Sequence, residues 1–135
     1  MPLALTKIDD LSFGTLIPSA SVGVVTLDAT TGARATFGGV TGVPSDVGQR
    51  AYFAGAGTPN QQVIISYIAP TQLTSMTNAA DKVQVLALTL DGSPIRTINP
   101  ATRTFFYGMG GIILINANQP DGLYEATFDV TANYQ

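Results

Sequence analysis

In GLYEATFDVTANYQ, residues 122–135, Tyr124, Ala126, Phe128, Val130, Ala132 and Tyr134 occupy every second position, and Glu125, Thr127, Asp129, Thr131 and Asn133 fill the gaps. A period of two places one set of side chains on one face of a β-strand and the other set on the opposite face. The stretch therefore predicts a long strand with one buried face. Only Gln135 follows Tyr134, so the expectation is a final strand without a later hairpin partner. An edge of that kind offers unpaired backbone groups to another chain.

The same period recurs upstream in shorter pieces. Short strands are expected at about 3–8 and 11–17, hinged at Asp9-Asp10, with Pro18 ending the second. Residues 22–27 and 33–37 flank a polar connection ending near Gly32 and predict a hairpin. Residues 38–48 hold four Gly and a Pro and predict a loop. Strands follow at 51–54 and 62–68, the second rich in β-branched and aromatic residues, and 70–81 predicts an irregular segment. Residues 82–90 are apolar on both faces, with Leu86, Leu88 and Leu90 on one and Val83 and Val85 on the other, which suggests a central strand. Asp91-Gly92 predicts a tight turn before a strand at 95–98. Strands at 103–107 and 112–115 are separated by Gly108-Met-Gly-Gly111, read as a bulge or close backbone approach.

No segment carries apolar residues at helical spacing, so the chain is expected to be all-β. Short strands at regular spacing, punctuated by Gly and Pro, predict one immunoglobulin-like Greek-key sandwich domain over residues 1–135, with a closed barrel as the alternative.

Composition excludes several functions. Charged residues make up 11% of the 135, against about 25% in an average soluble protein. Six basic and nine acidic residues give a net charge of −3, with no basic cluster. Nucleic acid is not an expected partner. The absence of both His and Cys rules out Ser-His-Asp and Cys-His catalysis, thiolate and imidazole metal sites, and disulfides. No apolar run approaches the ~18 residues of a membrane helix, so membrane insertion is not expected. Met1-Pro2-Leu3 lacks the features of a signal peptide; the protein is then cytosolic, or an export segment preceded this numbering.

The remaining candidates for chemistry have plain structural readings. Asp9 and Asp10 point to opposite faces of a strand and read as a solvated bend. Asp28 with Gly32, or Asn116, Asn118 and Asp121, fall short of the acidic density of a calcium loop. Glu125 with Lys7 or Lys82 and a neighbouring Asn could form an isopeptide bond only if buried, and its alternation phase puts it opposite the Tyr-Phe-Val face. Tyr52, Phe53, Phe105, Phe106 and Tyr107 read as packing. Gly108–Gly111 lacks the Lys and helix of a nucleotide loop. No catalytic residue, metal or cofactor is expected, and an enzyme is the weakest of the classes.

Gly122, fourteen positions from the end, and Tyr134, second from the end, bracket an alternating apolar strand in the way that the last strand of chaperone-usher pilus subunits does. GGIILINANQPDGLYEATFDVTANYQ, residues 110–135, together with Leu11-Ser-Phe-Gly-Thr-Leu16, resembles the secreted Gram-negative family related to spore coat protein U and the archaic pilins, which includes a group described only as a domain of unknown function. The resemblance implies an incomplete sandwich whose groove takes a periplasmic chaperone and then the N-terminal strand of the next subunit. It implies a secreted, non-enzymatic fibre subunit at the cell surface, with an outer-membrane usher and copies of itself as partners. Gly122, Tyr124, Ala126, Phe128, Val130, Ala132 and Tyr134 would border the groove. Residues 1–8, with Leu3 and Leu5, would be a remnant or part of the donor. The alternative is a monomeric immunoglobulin-like module or adhesin that binds a glycan or protein through loops 38–48 and 70–81. Phe128→Asp or Val130→Asp is expected to abolish folding or assembly, because each sets an unpaired charge in apolar surroundings; circular dichroism and the size of the secreted material check this.

Overall fold

The computed structural model describes residues 2–120 and 124–135. Within them the chain is strand and turn with no helix. The strands are β1 (Ala4–Asp9), β2 (Leu16–Leu27), β3 (Arg34–Gly42), β4 (Ala51–Ala56), β5 (Gln62–Ile68), β6 (Gln72–Ser75), β7 (Lys82–Leu90), β8 (Ile95–Thr97), β9 (Thr104–Ile115), β10 (Tyr124–Glu125) and β11 (Asp129–Tyr134). An eight-stranded sheet runs β1-β4-β9-β7-β6-β10, with β2 also pairing β9 and β3 beside β2, and a three-stranded sheet runs β11-β5-β8. Every pairing among them is antiparallel. Strands adjacent in sequence often lie in different sheets, and the two sheets face each other across an apolar core.

β9 is the spine of the large sheet. Phe105–Met109 pair with β4 and Gly111–Ile115 with β2 along one edge, while Met109–Leu114 pair with β7 along the other. The glycines expected to interrupt this strand instead let it run through. A Cβ at Gly110 would fall onto the Leu27 carbonyl oxygen, so the close approach anticipated at Gly108–Gly111 is real and the ladder continues past it.

Other boundaries also differ from the expectation. Pro18 does not end a strand: β2 continues through it, with Pro18 opposite Val40. β9 joins β2 only from Gly23 onward, and proline is tolerated where one side of a strand is unpaired. β3 extends to Gly42 through the region read as a loop, and β6 forms within the segment read as irregular. In β7 the register shifts between Val85 and Ala87. This bulge adds one residue, Leu86, and flips the phase. Val83 and Leu88 are therefore both buried while Leu86 is 47% exposed; β7 is central between β9 and β6, but its doubly apolar pattern comes from the bulge.

The main core gathers Ala51 and Phe53 of β4, Leu88 of β7, and Phe105, Tyr107 and Met109 of β9 against Val63, Ile65 and Ile98 from the facing side. Leu3, Leu5, Phe128, Val130 and Ala132 pack on its margin. A second cluster, Val25, Val40, Val83, Ile113 and Ile115, lies under Phe13, Leu16, Leu73 and Tyr124. Asp91, in the β7–β8 turn, ties the layers together: its carboxylate accepts from the Gly108 amide at 2.9 Å and from the Arg96 guanidinium at 2.5 Å.

Alternation sorts the aromatic residues. Phe53, Phe105 and Tyr107 stack inside, with Phe53 and Tyr107 centroids 4.9 Å apart. Tyr52 and Phe106 stack on the outer face at 6.0 Å, with the Arg50 guanidinium 4.6 Å from the Tyr52 ring. Phe106 is thus an outward residue, 48% exposed, not core packing.

The Tyr107 hydroxyl is fully buried with no hydrogen-bond partner among the described residues. Burial pushes its pKa up to about 12, because the phenolate is desolvated there. The unfolded chain gives up this proton near its ordinary value of 10.0, so stability falls as pH rises from there toward 12. Tyr107→Phe removes the unsatisfied group. It is expected to raise stability by about 1 kcal/mol at neutral pH and to flatten the alkaline loss, as read by thermal melts between neutral pH and pH 12.

Candidate functional site

The large sheet is wider than the small one that covers it, and the uncovered part of its inner face forms a groove of about 1030 Å³. That is at or above the upper end of ordinary small-molecule pockets, about 300–1,000 Å³. Its floor is apolar: Phe53, Val83, Val85, Leu88, Ile113 and Ile115. One lip is the segment from Lys7 to Leu16 and the other runs from Tyr124 to Val130. Half-buried Leu11, Phe13 and Leu16 on the first lip face half-buried Tyr124, Phe128 and Val130 on the second.

The first lip is held from behind by Arg34. Its guanidinium donates to the carbonyl oxygens of Phe13 at 2.9 Å, Thr15 at 3.1 Å, Asp46 at 2.9 Å and Val43 at 3.0 Å. A bridge between Ser12 and Gln49 and a 2.7 Å hydrogen bond from the Thr15 hydroxyl to Asp46 fasten it further. Gly14 and Gly48 pack against each other at φ of 73° and 78°, a conformation that suits glycine. A Cβ on either would overlap the opposing backbone.

The second lip is anchored at both ends. Tyr124 and Glu125 of β10 pair with Ser75 and Thr74 of β6. The Tyr124 hydroxyl donates to the Pro120 carbonyl at 2.6 Å and accepts from the buried Gln119 amide at 3.0 Å, which also reaches the Lys82 carbonyl. Beyond residues 126–128 the chain enters β11, which pairs with β5 from Asp129 opposite Ile68 to Tyr134 opposite Val63. The Gln135 amide donates to Gln62, and with that parity Asp129, Thr131 and Asn133 bond to β5. Val130 and Ala132 turn their N–H and C=O groups the other way. That edge of β11 pairs with no strand among the described residues.

The expected final strand is therefore two strands in two sheets, broken at residues 126–128. Tyr124, Phe128, Val130 and Ala132 keep one phase across the break and all face inward, half-buried, whereas Ala126 is exposed at the crossing. Alternation reports which side faces the core; it does not require one unbroken ladder. The Tyr134 hydroxyl accepts from the Thr58 amide at 2.9 Å. Gly122 and Asp121 lie outside the described residues.

Leu3 and Leu5, the expected donor residues, sit in or beside β1 in this structure. β1 pairs with the chain's own β4, Leu5 opposite Gly55, and both leucines pack on the chain's own core. They alternate with exposed residues, so their pattern serves an internal edge strand as well as it would a donated one.

The other candidates resolve into local structure. The Asp28 carboxylate accepts from the Thr30 and Thr31 amides at 2.7 and 3.0 Å, and these bonds hold its pKa below the usual carboxylate value. Asp10 pairs with Lys7 at 2.6 Å. Glu125 and Lys82 are exposed, so the burial that an isopeptide bond needs is absent. Among the described residues no three acidic side chains converge as for a metal ion.

Arg34 and Gln119 escaped sequence reasoning. Arg34 reaches carbonyls 9 to 21 residues away, and Gln119 ties its neighbours Asn116 and Tyr124 to Lys82, 37 residues off; the only local signal was the pair of glycines at 14 and 48. Arg34→Met keeps the stem but removes the charged donor from four carbonyls, of which those of Thr15, Val43 and Asp46 keep a backbone amide donor. It is expected to cost about 3 kcal/mol and to speed amide hydrogen exchange across residues 11–16 and 43–49 while leaving β5 and β11 protected. Denaturant melts and exchange mass spectrometry check both parts.

No curated protein and no solved structure matches the chain. The family described as Domain of unknown function (DUF4402) matches residues 3–134, a span that takes in both lips and the floor of the groove, and the chain belongs to that family.

Proposed function

We propose that the protein is a non-enzymatic structural subunit of an extracellular fibre, and that its groove receives an extended strand from a neighbouring subunit. The observation that carries this reading is the conjunction of an open apolar groove of about 1030 Å³ with the unpaired edge of β11 beside it. An extended peptide added there would form main-chain hydrogen bonds to Val130 and Ala132 and bury alternate side chains against the floor. About five such side chains at ~1.5 to 3 kcal/mol each would gain on the order of 10 kcal/mol before ordering costs. Heterologous contacts of this kind do not close into rings by necessity and so build filaments.

Because β1 is in place while the groove stays open, the occupant is a strand additional to residues 4–9. The resemblance to archaic pilins adds a secretion route to the proposal: a periplasmic chaperone fills the groove first, an outer-membrane usher directs the exchange, and the fibre stands on the surface of a Gram-negative bacterium.

A second reading, a monomeric module that binds a glycan or protein, has one observation in its favour. The stacked Tyr52–Phe106 pair lies on the outer face, and exposed aromatic faces suit sugar rings.

Negative-stain microscopy and gels of cell-derived material separate the two. Thin fibres, with a multimer ladder in detergent that collapses only on boiling, are the expected result. A compact monomer from cells would overturn the fibre and leave the binding module.

A further inference from the structure

The charge of this chain is not spread evenly. Of the eight acidic residues among those described, five, Asp9, Asp10, Asp46, Glu125 and Asp129, line the groove, together with one of the six basic residues, Lys7. The groove lining therefore has a net charge of −4, whereas the three acids and five bases elsewhere among the described residues net +2. Lys7 is already engaged by Asp10. The acids are placed on both sides: Asp9, Asp10 and Asp46 stand on or behind the first lip, Glu125 and Asp129 on the second. All five are exposed, and among the described residues they do not converge as for a metal ion. This is two negative rails along an apolar trough, a shape that matches an extended polymer better than a point charge.

We infer that the strand this groove accepts is cationic, with apolar side chains on one face and Lys or Arg on the other. The inference rests on the strand-accepting reading above and names the chemistry of the occupant. A strand lying in the trough points alternate residues down at Val83, Val85 and Ile113 and the rest outward between the rails. Opposite charges on neighbouring strands attract, and like charges repel. An acidic strand of equal apolarity meets repulsion from both lips, so the rails select among donors that the floor cannot tell apart. Because the rails are solvated, their effect falls mainly on the association rate and is screened by salt.

The test uses the full chain and three synthetic strands of equal length as probes, alternating Val with Lys, Val with Thr, or Val with Glu. Expected at low salt is tighter binding of the Val-Lys strand than the Val-Thr strand by about tenfold, weakest binding by the Val-Glu strand, and convergence of the three in high salt. The double substitution Glu125→Gln with Asp129→Asn should shrink the ratio of Val-Lys to Val-Thr binding at low salt, and an undiminished ratio would overturn the part given to the second lip. Equal binding of the Val-Lys and Val-Thr strands at low salt would overturn the cationic inference and leave the strand acceptor standing. No binding by any of the three, with the chain folded by circular dichroism, would overturn both.

Discussion

Eight strands on one side of the core face three on the other, and most of what sets this molecule apart follows from that mismatch. A sheet that is apolar on its inner face must be covered, and coverage normally comes from a second layer of comparable width. Here β5, β8 and β11 shield the part of the large sheet around Phe53, Phe105 and Tyr107, and they stop short of the part around Val83, Ile113 and Ile115. Two partial remedies appear at the boundary: the Leu11–Leu16 segment folds over one side, and the chain end crosses from β10 to β11 over the other. The trough between them is what neither reaches.

The lips differ in how they are made, and that difference bears on what the groove can do. The first has little regular ladder and relies on one guanidinium spread across four carbonyls. The second is strand at both ends, tied to opposite sheets, with a bare crossing in the middle. Both are fixed by hydrogen bonds within the chain, so neither needs an occupant to keep its shape. A preformed acceptor avoids part of the ordering cost of binding.

Much of this fold was legible in the residues. The bounds of β5 and β7 were read to the residue because strong β-formers there end at turn signals. The inward phase of Tyr124, Phe128, Val130 and Ala132 followed from period two alone. The bulge at Leu86 was not legible, since an extra residue in a run of Val, Leu and Ala leaves no local mark, and the run looked like burial on both faces. Nor was the division of the last strand between sheets, because Ala126 continues the apolar pattern through the crossing. The groove itself depends on the relative widths of two sheets, and the position of the first lip on the reach of Arg34 across the chain. Such long-range facts have no signature within a window of neighbouring residues.

Gly110 lies in β9, where any side chain would strike the Leu27 carbonyl. Among the described glycines this is the closest approach, and it falls in the middle of the central strand on a residue that does not line the trough. The outward-facing lip residues carry no comparable demand. Related chains can then diverge along the rails, changing which strand they accept, while Gly110 admits almost no variation: selectivity and architecture are free to evolve at separate rates.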